Sequence, residues 1–577
     1  MNEFYKLFDS TYYITNNELT TIENNFNNLY KKIKRNKFYI FSKKKRAFIK
    51  IFKNRYLLKE KANSIYINKM LHDHSELLNN INGYSLDNEQ RRCIVDEEDH
   101  LLVIAGAGSG KSLTIIGKIR YLIETKYIEE NQLLCISFTN DSTKSLNDSL
   151  MKCYNYNLEV LTFHKLALKI IKKVQKEIKI ADPNTLEFLI DEFFDSIIFD
   201  YQICLKMVVH YFNNTEHNYY NEYKNLISTK KFINFKKLIC QFIKLFKANV
   251  FNEEILMNYL YKAKYNKKDY CFIFNAIIIY KIYTDELKSQ KEFDFDDMIL
   301  YSINLIDHYQ LNLKYKYVIV DEYQDTSLLR CKLIQKIVNT SNSKVMVVGD
   351  DFQSIYRFSG CNLDIFLNFH KYFPNPKKLP IFNTYRNAQE TIDVAGNFIM
   401  KNKRQLNKIL LSKKHLEKPI KIIYYENQKD SFKNLLLYLF KINITEILIL
   451  GRNNNDIKKV IDNEFKIEND LIVFKNIKMK YLTVHRSKGL EEENVIIINL
   501  ENNITGFPSK LEDDNILKYI VDYDDKIPYE EERRLFYVAI TRTKNYTYLL
   551  TNKRKPSLFV KEIINEHKNN IEFLSIN

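Results

Sequence analysis

Residues 105–112 read AGAGSGKS, placed between the apolar run LLVI and a segment, 111–125, whose apolar residues recur at helical spacing. A strand, a tight glycine loop and a helix in that order leave few folds open. The loop must curl so that successive N–H groups and the helix N-terminus converge on one point, and what fits that point is a chain of phosphates. Gly106, Gly108 and Gly110 permit the curl, with Ala107 and Ser109 between them and Ala105 just before. Lys111 is placed to neutralise β/γ-phosphate charge, and Ser112 offers a hydroxyl to Mg²⁺. Ala105 stands where the general pattern has glycine, and the strand-loop-helix context makes up for that departure.

A phosphate loop of this kind needs a carboxylate at the end of another strand. VIVDEYQDTS at 318–327 supplies it, with Asp321 to hold Mg²⁺ and Glu322 to orient or deprotonate an attacking water. A third cluster, VVGDDFQSIYRFSG at 347–360, follows the next apolar run. Gln353 is a neutral group able to touch both a terminal phosphate and the water. Tyr356 and Phe358, with Arg357 between them, offer rings on which bases stack and a guanidinium for the backbone, though core packing is the competing use of such rings.

The 577 residues imply three to five structural units at about 100 to 200 residues each. Short apolar runs at HLLVIAG, QLLCISF, KYKYVIVDE, SKVMVVGD, TEILILGR, NVIIINL and YTYLLTN read as strands covered on both faces, alternating with helices. They fall into one set before residue 350 and another after 440, which predicts an α/β chain with two sheets. Residues 165–290 interrupt the first set and read as a helical insertion, with NNTEHNYYNEYKN at 213–225 as a surface loop. Residues 31–60 hold 13 Lys or Arg and one Glu, and read as a basic amphipathic helix facing solvent or nucleic acid, with a polybasic membrane-surface helix as a third reading that no nearby lipid-anchor signal supports. The formal net charge of +17 favours a phosphate-rich partner. The start has the character of neither a signal peptide nor a membrane anchor, and no run of 18 uncharged apolar residues occurs. Eight cysteines without a CxxC pair argue against a zinc ribbon and read as reduced core thiols of an intracellular protein.

Together these segments resemble a superfamily 1 DNA helicase of the UvrD/Rep type, and most of all the helicase IV group, over residues 84–565. The resemblance implies two RecA-like P-loop domains and a helical insertion in the first, with ATP and Mg²⁺ as ligands. The expected divisions are a basic helical region at 1–80, the first motor at 81–165 and 291–377, the insertion at 166–290, and the second motor at 378–577. YSLDNEQRR matches the adenine-reading glutamine motif, which assigns that role to Gln90. Phe138, Thr139 and Asn140 of FTN, and Thr162 and His164 of TFHKLA, match segments that contact single-stranded DNA. FDFDD at 293–297 matches the acidic segment closing the insertion. TYR at 384–386 places Arg386 near the γ-phosphate, and TVHRSKGLEEENV implies backbone contacts at Thr483 and His485 with a ribose contact at Glu491. EERRLFYVAITRTK implies an arginine finger at Arg542, although EERR taken alone also reads as a helical salt-bridge face.

The family further implies 3′ to 5′ movement on single-stranded DNA and at single/double-strand junctions in repair, replication or recombination. The cell interior would be the setting, and a monomer or a complex with a polymerase or repair partner would fit. Ser359 stands where UvrD-like members carry Arg, and Glu492 where that branch has an aromatic residue. The 96 residues between Arg386 and Thr483 are too few for that branch's second large insertion beside a sheet. The alternatives are an ATP-driven remodeller of RNA polymerase or another nucleoprotein complex, an RNA-directed motor, and a non-enzymatic basic binding protein.

Overall fold

The computed structural model describes residues 8, 12–212, 218–249, 252–469, 471–511, 514–521 and 527–576. In chain order its first strands are β1 (His100–Ala105), β2 (Leu133–Ile136), β3 (Val160–Leu161), β4 (Lys179–Ile180), β5 (Glu292–Phe293), β6 (Tyr317–Val320), β7 (Lys344–Gly349) and β8 (Lys377–Ile381). Six of them form a parallel sheet in the order β3-β2-β6-β7-β1-β8. Leu102, Val318, Val320, Val345 and Val347 enter one core, while Leu101, Val103, Ile319, Met346 and Val348 enter the other. Alternate residues thus meet helices on opposite faces, which is why the middles of β1, β6 and β7 are apolar throughout. Full burial of each such side chain is worth roughly 1.5–3 kcal/mol. β8 carries Pro380, tolerated because this edge strand pairs with β1 alone. The first sheet therefore runs through the division expected at 377/378.

β4 and β5 pair where the chain leaves for the insertion and returns. Between them, helices from Thr185–Asp195 to Lys267–Gln290 close around Phe193, Phe194, Phe232, Phe235 and Phe272. Helix Phe163–Ile171 instead packs Phe163, Leu166 and Ile170 into the first sheet's core, so the helical unit starts after Ile180 and not at 166. The surface loop expected at 213–225 needs correction. Residues 213–217 lie outside the described set, and Tyr219–Ile227 is a helix burying Tyr223 and Leu226, three residues apart.

The second sheet contains β9 (Ile420–Tyr425), β10 (Glu446–Gly451), β11 (Lys466–Glu468), β12 (Leu471–Phe474), β13 (Ile477–Thr483), β14 (Glu492–Leu500), β15 (Thr543–Asn552) and β16 (Ile571–Phe573). Their order is β11-β12-β13-β10-β14-β15-β9-β16, parallel except for the β11-β12-β13 meander. This set begins at Ile420, earlier than the expected 440. Helices Gln389–Ile399 and Gln428–Lys441 and strands β9 to β13 occupy most of the stretch from Arg386 to Thr483, and among the described residues no separate domain is inserted there.

The N-terminal segment is not one basic helix. It divides into helix Asn16–Arg35, a 3₁₀ turn Lys37–Phe41, and helices Lys43–Lys53 and Arg55–Asp73. Asn36 and Ser42 break it, each side chain accepting a backbone N–H, from Phe38 and Lys45 respectively. The unit is fixed to the first sheet where the chain enters β1: Tyr13 Oη donates to Asp96 (2.8 Å), Tyr66 Oη to Glu97 (2.6 Å), and Lys59 pairs with Glu98 (3.4 Å). No helix among the described residues is long and apolar enough to cross a membrane. The cysteines are free, and all but Cys153 are buried.

Candidate active site and nucleic-acid interface

The loop after β1 takes the expected curl. Gly108 and Gly110 have φ of +69° and +77°, and a Cβ on either would lie about 2.5–2.6 Å from a neighbour, Arg386 Cβ or Gln90 Nε2. Helix Lys111–Lys126 starts with no side-chain cap, and Ser109 Oγ is buried without a hydrogen-bond partner. A bare helix N-terminus with an orphaned hydroxyl beside it fits a phosphate chain. Gln90 braces this loop. Its Nε2 donates to Ser109 O (3.0 Å), and its Oε1 accepts the Asp87 N–H that completes a capping box.

Lys111 Nζ lies 2.6 Å from Glu322 Oε1, so cation and acid of the first sheet are already paired. Burial works against the charge on Lys111, but Glu322, Asp321 and Asp350 outweigh it and raise its pKa. Burial likewise opposes ionisation of Glu322, and Lys111 and then Lys488 overcome it and hold this carboxyl low. Asp321, buried beside the Glu322 charge, is pushed up to about 7. A buried oxygen donor so placed, with Ser112 exposed at the first turn of the helix, fits a hard divalent cation that takes its other oxygens from phosphate and water. Glu322 adopts φ +49°, which for a side chain of its size costs of order 1–3 kcal/mol and marks a constrained position.

Gln353, after β7, links the two sheets. Its Nε2 donates to Asp350 Oδ2 (2.6 Å), and its Oε1 accepts from Arg542 Nη2 (3.0 Å), a residue that precedes β15 in the second sheet. Arg542 is fully buried, with Nε on Val538 O (2.9 Å). Burial and then Arg386 draw its pKa down to about 9, and it remains charged at neutral pH. Arg386 Nε donates to Glu491 Oε2 (2.6 Å), whereas Thr384 Oγ1 and Tyr385 N–H donate to Ala107 O and Gly108 O of the loop. EERR is no simple helical salt-bridge face. Glu531 pairs with Arg357, Glu532 with Arg452, Arg533 with Glu562, and Arg534 Nε donates to Ser354 O in the first sheet's territory.

Two lysines in this site had no sequence signal strong enough to single them out. Lys408 is wholly buried, with Nζ 2.5 Å from both Asp350 and Asp351 and 3.0 Å from Ala105 O at the end of β1. Lys488 pairs with Asp325, donates to Gln353 O (2.6 Å) and lies over the Tyr356 ring. The first could have been sought from the DD pair at 350–351, since two buried carboxylates after an apolar strand need a cation.

The expected DNA-contacting residues gather on one side of the cleft. Phe138 and Tyr356 stack with centroids 5.8 Å apart, and Phe358 and His485 meet edge to face at 5.4 Å. Tyr356 is largely enclosed and donates to His485 O (2.9 Å), whereas Phe358 is 51% exposed. Arg357 is turned to Glu531 and does not flank the rings. His164 lies at 4.7 Å from Phe295, a ring of the FDFDD segment to which the sequence reading gives no part in DNA contact. Both histidines are held to about 4, His164 by burial and Arg330, and His485 by burial, Arg452 and Lys488, so each presents a neutral ring at neutral pH. Thr139 and Thr162 cap helices Asn140–Tyr154 and Phe163–Ile171, which brings two helix N-termini to this side; Asn140 is exposed and Thr483 is buried at the end of β13.

A family model described as the UvrD/REP helicase N-terminal domain matches residues 86–374, and one for the UvrD-like helicase C-terminal domain matches 466–554. DNA helicase IV of Escherichia coli is 26% identical over 517 residues, which cover 87% of this chain and 73% of that protein. ATP-dependent DNA helicase Rep of Buchnera aphidicola from Acyrthosiphon pisum is 28% identical over 464 residues, 77% of this chain and 66% of that one. A probable DNA helicase of Mycoplasma pneumoniae is 25% identical over 509 residues, 84% of this chain and 87% of its own. With a phosphate loop, paired carboxylates and an arginine from the second sheet in one cleft, and with both halves matched in order, the chain belongs to the UvrD/REP helicase family.

Proposed function

We propose that the chain is a 3′ to 5′ DNA translocase that couples ATP hydrolysis to strand separation at single/double-strand junctions, inside the cell, where repair, replication or recombination supplies them. The observation that carries this is the Gln353–Arg542 hydrogen bond across the cleft, which makes the hydrolytic site complete only when both sheets contribute. ATP would lie on the loop amides and Lys111, with Gln90 at the adenine and Glu491 near the ribose. Asp321 and Ser112 would hold Mg²⁺, which supplies charge neutralisation on the phosphates. Glu322 then orients the attacking water and takes its proton, while Gln353, Arg386 and Arg542 face charge developing on the γ-phosphate. Because Arg542 belongs to the second sheet, chemistry follows cleft closure, and the strand lying on Phe358, His164 and His485 moves with it.

Phosphate release measured with single-stranded DNA, duplex DNA, RNA and no polymer tests this. Strong stimulation by single-stranded DNA is expected. Preference for RNA would point to the RNA-directed motor, and indifference to all polymers to the remodeller of a protein complex.

A further inference from the structure

We propose that the turn between helices Asn16–Arg35 and Lys43–Lys53 is a second single-stranded nucleic-acid site, separate from the groove of the motor. The two helices have a small core of their own, Ile33, Phe48, Ile49 and Phe52, with Tyr30 stacked on Phe52 at 4.5 Å. That core presents the turn Lys37–Phe41 as a tip. Phe38 is 76% and Phe41 82% exposed, their ring centroids 6.4 Å apart. Single exposed rings are ordinary on a protein surface, but two at one tip within a strongly basic segment are not. Lys34 and Arg35 precede the turn, Lys43, Lys44, Lys45 and Arg46 follow it, and no acidic residue occurs from 31 to 59. Exposed rings interleaved with cations are what a phosphate backbone with unstacked bases requires.

The base of this unit lies away from the phosphate site. The N-terminal unit is anchored at Asp96, Glu97 and Glu98, which lead into β1, while Lys377 at the start of β8 also reaches Asp96 (2.6 Å). Lys111, Glu322 and Gln353 follow the opposite ends of β1, β6 and β7. A six-residue strand such as β7 separates those edges by about 20 Å. A polymer long enough to span groove and tip would meet the tip at high effective concentration, where individually weak contacts suffice.

The proposal takes its polymer class from the motor's proposed function, and two oligothymidylates separate the two claims. One of about 8 nucleotides fills a single groove, and one of about 40 spans both sites. Changing Lys43, Lys44, Lys45 and Arg46 to Ala together should weaken binding of the long oligonucleotide about tenfold or more, and should lower the slope of log affinity against log salt by about 2 to 3. Phe38→Ala with Phe41→Ala should weaken it at least about fivefold with the slope unchanged. Binding of the short oligonucleotide, and the ATPase it stimulates, should stay at the parental level in both variants. Equal losses for both lengths, or parental binding of the long one by both variants, would overturn the proposal. So would capture of the parent, but not the variants, by phosphatidylserine vesicles in excess oligonucleotide, which would assign the tip to a membrane surface. If the short oligonucleotide fails to stimulate the parent, it is the motor's function that is wrong.

Discussion

Glu322→Gln tests the link between the resting ion pair and the chemistry. The substitution keeps size and shape and removes one charge. In the structure that charge holds Lys111 at 2.6 Å, with the two side chains 13% and 20% exposed, so nucleotide must draw Lys111 away from Glu322 before the ammonium can serve a phosphate. A hydrogen bond between charged groups is worth about 1.5–3 kcal/mol, and partial exposure favours the lower end. An amide oxygen retains about half of it as a neutral acceptor, which leaves about 0.7–1.5 kcal/mol released, or roughly three- to tenfold tighter ATP binding. Turnover should fall by about 10²–10⁴, the usual worth of a positioned general base. Titration with a fluorescent ATP analogue reads the first quantity, and phosphate release under saturating single-stranded DNA reads the second. A variant that binds ATP no more tightly than the parent would show that the Lys111–Glu322 pair is not what nucleotide displaces. Parental turnover would remove Glu322 from the role of water-directing carboxylate.

Arg542→Ala should cut DNA-stimulated turnover by roughly three orders of magnitude with a far smaller change in ATP affinity; matching losses in both would make Arg542 a ground-state phosphate ligand. Phe358→Ala should weaken single-strand binding by about 1–3 kcal/mol and leave basal ATPase and melting temperature close to parental, since the ring is half exposed. Lower thermal stability with parental binding would assign that ring to packing. Lys408→Met keeps the chain length but strands the Asp350 and Asp351 carboxylates, and should cost about 3–5 kcal/mol in urea unfolding. A loss under about 1 kcal/mol would mean that water reaches those acids and that Lys408 does not lock them.

What could be read from the sequence was set by how local each signal is. The phosphate loop, β1, β6 and β7 announce themselves because a parallel strand covered on both faces is an unbroken apolar run, and because phosphate chemistry needs fixed residues at its end. β8 escaped notice since KKLPI contains a proline, acceptable only because the strand is an edge. Helix Tyr219–Ile227 was hidden by its Asn and Tyr content, and its two buried residues are too few to register as a period. Lys408 and Lys488 could not be ranked above the other lysines, because their burial arises only when residues 58 and 163 positions away in the chain are brought against them.

The same long-range contacts explain how a local event in the cleft is felt elsewhere. Lys408 fixes Asp350, Asp350 orients the Gln353 amide, and that amide presents its oxygen to Arg542. Gln353 O also accepts from Lys488, whose ammonium lies over Tyr356 in the aromatic groove. A shift of Arg542 is therefore shared between the phosphate site and the rings. The insertion is tied to both sides of that motion. Lys247 pairs with Asp294 (2.5 Å) and Asp297 (2.7 Å), and Asn249 donates to Gly360 O (3.0 Å) beside Phe358. Ile516, Leu517 and Val521, which follow β14 of the second sheet, are buried in the insertion's core, and Tyr519 Oη donates to Asp269 (3.3 Å). Burial of those three side chains is worth several kcal/mol, enough that closing the cleft must carry the insertion along or break the contact. Either outcome makes the insertion a participant in closure of the cleft, since its anchor at Gly360 borders the exposed Phe358 ring.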